Sequence, residues 1–127
     1  MTGEWLIIIY DFEVFKHDTL LGALDEETGK ITQLWNIDQI REFAEKNLKN
    51  VWVGYNCEHY DKILLHGIYT KKLLTEDRVF ACSGSVIRAQ DDDTPVFGIL
   101  KKYGIEDYYS SPILSYDVMG DGSFMSL

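Results

Sequence analysis

Between Trp5 and Tyr10 the chain runs through Leu6, Ile7, Ile8 and Ile9 without a charge, then meets Asp11, Phe12 and Glu13. Consecutive isoleucines are β-branched and stiff at χ1, so this short run reads as a buried strand. It is much too short to span a bilayer as a helix. Alternate side chains of a strand share a face, so Asp11 and Glu13 project together from its end. Neighbouring carboxylates repel each other unless a cation lies between them, and hard oxygen ligands of this kind suit Mg²⁺ or Mn²⁺. Taken alone, such a pair is more often a solvated rim than a site.

The next segments place that strand in a sheet. Residues Thr19 to Leu24 and Lys30 to Trp35 read as a second and a third strand. The polar, glycine-ended turn Asp25-Glu26-Glu27-Thr28-Gly29 separates them, and the three strands form an antiparallel meander. A helix follows, with Asn36 or Asp38 as N-cap, with Ile37, Ile40, Phe43, Ala44 and Leu48 at helical spacing, and with Asn47 and Asn50 as stop signals. Val51 to Tyr55 is a fourth strand, about His59 to about Leu74 a second helix, and Ile113 to Val118 a last strand. Residues 75 to 95 carry no clear period and end in the loop Asp91-Asp92-Asp93-Thr94-Pro95, while Gly120-Asp121-Gly122-Ser123 is turn chemistry. The helix before the fourth strand permits a right-handed crossover that lays it parallel to the first. The expected class is α/β with a mixed sheet and flanking helices, in one domain over residues 1–127.

A second acidic element is Asn56-Cys57-Glu58-His59-Tyr60-Asp61, which leaves the fourth strand and opens the second helix. A first-turn Asp is favoured by the helix dipole whatever else it does. The junction also lies at the carboxyl end of the sheet, where ligands gather in open α/β folds. If the first and fourth strands are parallel neighbours, Asp61 approaches Asp11 and Glu13. Three carboxylates facing one space are what a two-metal phosphoryl-transfer site needs.

Asp-x-Glu on the first strand, a β-meander, and Asn-x-x-x-Tyr-Asp at a strand–helix junction resemble the first two motifs of DEDD-type (DnaQ-like) 3′→5′ exonucleases, which have an RNase H-like fold. The segments IIIYDFEVF, VWVGYNCEHYDKILLHGI and ILSYDVM look like the proofreading region of phage DNA polymerases. The resemblance implies Asp11, Glu13 and Asp61 as catalytic, metal-binding carboxylates for two Mg²⁺ or Mn²⁺ ions. It implies Phe12, Asn56 and Tyr60 along the nucleic-acid channel, and for Asp117 a structural or secondary role. It departs from the family in two ways. Val14 stands where Thr is usual, and the third motif is missing from its expected place after the last strand. A literal match, Tyr103-Gly104-Ile105-Glu106-Asp107, precedes that strand, and its glycine weakens a helix, so it reads as an irregular surface segment. The domain is then C-terminally incomplete, ending before the third motif.

Charge bears on function. The net charge is −9, whereas a self-sufficient nucleic-acid binder is usually basic. Lys71-Lys72 and Lys101-Lys102 are the only basic doublets and look like a poor phosphate-binding face. Three readings follow. One is a 3′→5′ exonuclease acting on a single-stranded DNA 3′ end. Another is a fragment, the first part of an exonuclease region that is active only with the remainder of that region; a polymerase domain is then the expected partner. The third is a small acidic phage protein, of anti-defence or anti-CRISPR type, that binds and inhibits a basic host nuclease or DNA-binding protein. The scattered histidines His17, His59 and His66 form no constellation, and Cys57 and Cys82 read as reduced, mostly buried thiols. Trp35 and Trp52 are expected in the core. Nothing at the N-terminus reads as a signal peptide, so the expected setting is cytoplasmic, with no membrane partner.

Overall fold

The isoleucine run becomes the central strand, β1 (Ile7–Val14). The computed structural model describes residues 5–55 and 59–118. In it, β1 is joined by β2 (Thr19–Asp25), β3 (Ile31–Trp35), β4 (Val51–Gly54) and β5 (Leu114–Asp117), in the order β3-β2-β1-β4-β5. The meander β1-β2-β3 is antiparallel, and β4 and β5 run parallel to β1. The protein is therefore α/β with a five-stranded mixed sheet. The crossover helix α1 (Ile37–Lys46) returns the chain for the parallel pairing of β4.

Strand parity divides the sheet into two faces. Ile8, Tyr10 and Phe12 of β1, Leu21 and Ala23 of β2 and Trp52 of β4 point to one face and form a single apolar cluster with the helices. Trp52 is fully buried, with Tyr10 and Phe43 edge-on to its indole at 5.3 and 5.7 Å. The intervening residues Ile9, Asp11 and Glu13 are exposed on the other face. The strand register places Ile31, Trp35, Leu114 and Tyr116 on that same face, where they are exposed too. Trp35 thus lies outside the core in which it was expected, stacked instead on Phe15 at 6.2 Å.

The helices depart from the sequence reading in number and length. α2 (Asp61–Tyr69) stops well before Leu74. The Thr70 hydroxyl donates to the His66 carbonyl at 2.8 Å, and Lys71 adopts φ 65, which turns the chain out of the helix. The stretch without a clear period contains the longest described helix, α3 (Glu76–Asp91). Its buried stripe is Val79, Cys82, Ser83, Val86 and Ala89, small residues that carry a weak hydrophobic signal. Thr75 caps it by accepting from the Arg78 amide at 3.1 Å. α4 (Phe97–Tyr103) ends at Gly104, whose φ of 76 suits the left-handed C-cap. The segment after it is not irregular surface: Tyr103, Ile105 and Tyr108 are buried, and Tyr108–Ser110 form a 3-10 turn. No helix among the described residues is long and apolar enough to cross a membrane.

Candidate functional site

β1 and β4 separate at their carboxyl ends. Their pairing finishes at Ile9↔Val53, while β1 continues to Val14. The backbone amides of β1 beyond that point need new acceptors on the β4 side. Asp61, the first residue of α2, supplies one: its carboxylate accepts from the Phe12 amide at 3.1 Å in a buried bond. Asp61 therefore enters the edge of β1 between Asp11 and Glu13.

The surroundings make this carboxylate unusual. Asp61 is only 6% exposed, and burial pushes its pKa up to about 7. The Phe12 hydrogen bond opposes that rise, whereas the Asp11 and Asp117 charges add to it. Asp117, at the end of β5, pairs with Gly54 and is itself 6% exposed. Parity puts Asp117 on the helix-covered face with Ser115, whose hydroxyl bonds Tyr10 at 2.8 Å, and Asp11 on the open face. Asp61 lies between them at the level of the strand. Glu13 shares Asp11's face one step further along β1.

Tyr60 completes the junction. Its hydroxyl forms a 2.6 Å hydrogen bond with Ser83 of α3. Burial raises its pKa, the Ser83 bond opposes that, and the Asp61, Cys82 and Asp11 charges raise it further. The phenol stays protonated over the physiological range. Cys82, next to Ser83, is a buried free thiol pushed up to about 11 by burial. An open cleft of about 680 Å³ adjoins this corner, lined among others by Tyr55, His59, Tyr60, Ile87 and Gln90. None of the three carboxylates lines it.

The residues expected at the site fall into three groups. Asp11, Asp61 and Tyr60 come together, and Asp117 joins them more closely than a secondary role suggested. The signal for Asp117 lay in the sequence, as an acidic residue ending a strand parallel to β4. Ser83 was missed, because nothing marked residues 75–90 as a helix packed on the junction. Phe12 is corrected: its ring is 5% exposed in the core beside Tyr10, so only its amide reaches the site. Asn56 and Cys57 lie outside the described residues. Asp107 of the literal third-motif match bonds His66 at 3.0 Å.

No protein-family model, curated protein or solved structure matches this chain. The chemistry of the site is therefore argued from its own groups. Among the described residues, no three His, Cys, Asp or Glu side chains are arranged to hold a metal ion. Asp11 and Asp117 leave the sheet on opposite faces. The donor chemistry nevertheless fits a hard divalent cation: oxygen ligands only, with the Asp61 pKa raised by burial first and by the Asp11 and Asp117 charges after it. Asp61 and Asp11 are the residues that would hold it, with Glu13 and Asp117 on either side.

Proposed function

We propose that this chain is a phosphodiester-hydrolysing domain of the DEDD 3′→5′ exonuclease kind, acting on a single-stranded DNA end with Mg²⁺ or Mn²⁺. The observation that carries the reading is Asp61, buried at a strand–helix junction, bonded to β1 between Asp11 and Glu13, and perturbed by the Asp11 charge. The sheet order β3-β2-β1-β4-β5, with its meander and two parallel strands, fits an RNase H-like layout. Asp61 and Asp11 would hold a divalent cation there, which would supply charge neutralisation at a phosphate and a more acidic water. Asp61 holds its position through the Phe12 amide, and Asp11 and Glu13 offer oxygens from the accessible face. The protonated Tyr60 hydroxyl, fixed by Ser83, is a hydrogen-bond donor next to that carboxylate.

The net charge of −9 favours a second reading, an acidic protein that binds a basic nuclease. A single assay separates the two. A 3′-labelled single-stranded oligonucleotide is incubated with the protein and Mn²⁺, beside Asp11→Ala. Release of label that disappears in the variant supports hydrolysis. Persistent label at high enzyme concentration, with wild type and variant alike, sinks the hydrolase reading and leaves the binding protein.

A further inference from the structure

The lysine doublets that look isolated along the chain meet in the fold. Lys71 and Lys72 leave the end of α2, and Lys101 and Lys102 lie in the last turn of α4. A Cβ on Gly104, the residue that ends α4, would touch the Lys72 side chain at 3.5 Å. Around the adjacent Tyr103, the Arg78 guanidinium lies 4.7 Å from the ring centroid and the Lys102 ammonium 5.8 Å. Arg78 is held there by donating to the Lys72 carbonyl at 2.9 Å. Arg78 and Lys102 therefore lie over one buried tyrosine and Lys72 beside the glycine that follows it, with Lys71 and Lys101 their neighbours in sequence. All five are exposed. In a chain of net charge −9, five of the twelve Lys and Arg residues gather at one corner. Like charges at close quarters repel, so this grouping is unfavourable without an anionic partner. The Asp107 carboxylate interacts with Lys72, but it is already bonded to His66.

We propose that this corner is a docking surface for the phosphate backbone of a single-stranded nucleic acid. The assignment of the polyanion deepens the hydrolase reading and rests on it. α2 connects the two places: Asp61 is its first residue, and Lys71 and Lys72 follow its last turn. At 1.5 Å rise per residue, its nine residues separate them by about 13 Å. A single strand whose end lies at Asp61 reaches the lysines over that length, and they supply the cations that the acidic edge lacks.

The test uses a fluorescein-labelled dT oligonucleotide and fluorescence anisotropy in EDTA, so that neither metal nor hydrolysis takes part. Three phosphate contacts predict that log K falls with log salt at a slope of about −2 for a single strand. The exposed double charge reversal Lys72→Glu/Lys102→Glu is expected to weaken binding at least about tenfold and to flatten the slope, each lysine accounting for about 0.7 of it. Neither metal nor hydrolysis enters this readout, so failure of the hydrolase reading leaves its result intact. The proposal is overturned if the reversal binds as wild type does, if no salt-dependent binding is seen, or if polyglutamate competes as well as the oligonucleotide.

Discussion

The Asp61 carboxylate accepts the Phe12 amide at 3.1 Å, and this bond joins the first turn of α2 to the strand that carries Asp11 and Glu13. It closes the opening left where β4 ends and β1 continues. It also places a buried carboxyl where the neighbouring charges favour its neutral form. Structural need and electrostatic cost thus fall on one side chain, and a bound cation would relieve the cost.

A pH dependence follows. The pKa of Asp61 is raised, to about 7, so the folded state binds its proton more tightly than the unfolded chain. The associated stability is complete below about pH 4, the ordinary range for Asp, and is lost as pH rises through about 7. Asp61→Asn keeps an oxygen for the Phe12 amide and removes the charge. It is expected to flatten this decline and to raise stability at pH 8 without divalent cation by about 2–4 kcal/mol. Urea unfolding from pH 4 to 8 checks this, and an unchanged profile contradicts it.

The His66–Asp107 pair predicts the opposite sign. His66 is buried, bonds Asp107 through Nε2 at 3.0 Å, and has no partner at Nδ1. That hydrogen bond holds the Asp107 carboxyl below its usual range. Its contribution is present above the unfolded-state pKa and is lost as pH falls through the folded-state value. Asp107→Ala leaves the imidazole without its partner and is expected to cost about 1–3 kcal/mol at pH 7. The gap between variant and wild type should narrow in acid, as measured by thermal unfolding at pH 7 and pH 3.

Gly67, in the last turn of α2, reports how closely the turn after the helix packs. A Cβ there would lie 2.6 Å from Leu73 Cδ1 and 2.8 Å from its Cγ. Leu73 is fully buried and has nowhere to go. Gly67→Ala gains about 1 kcal/mol of helix propensity but overpacks the core, which costs about 1–3 kcal/mol. The expected outcome is net destabilisation, partly relieved by Leu73→Ala in a double-mutant cycle. A stabilised Gly67→Ala would show that Leu73 repacks freely.

Much of the sheet was legible because strand parity is a strong signal. The isoleucine run, the glycine-ended turn at Gly29 and the short run before Tyr55 each put a strand within one or two residues of its place, except that β1 continues through Glu13 to Val14. Asp61 was legible because a junction motif has a fixed relation to the sheet edge. The rest depended on partners distant in sequence. α3 is anchored by small buried residues, and its Glu76 carboxylate accepts the Ile37 amide at 2.8 Å, a capping role expected of Asn36 or Asp38. The resemblance implied Phe12 as a channel residue, yet strand parity sends its ring to the face opposite Asp11 and Glu13. The lysine doublets looked weak because bringing Lys72 beside Gly104 and Lys102 over Tyr103 needs the turn after α2 and the end of α4 together.

The central claim is that the Asp11–Asp61 edge holds a divalent cation, and paramagnetic broadening by Mn²⁺ tests it most directly. In ¹H–¹⁵N spectra with substoichiometric Mn²⁺, the amides of Asp11, Phe12, Asp61 and Asp117 are predicted to broaden first, and Asp61→Asn is predicted to abolish that preference. Broadening centred on the exposed acids Asp91, Asp92 and Asp93, or spread over the acidic surface with no preference for the β1–α2 edge, would contradict it.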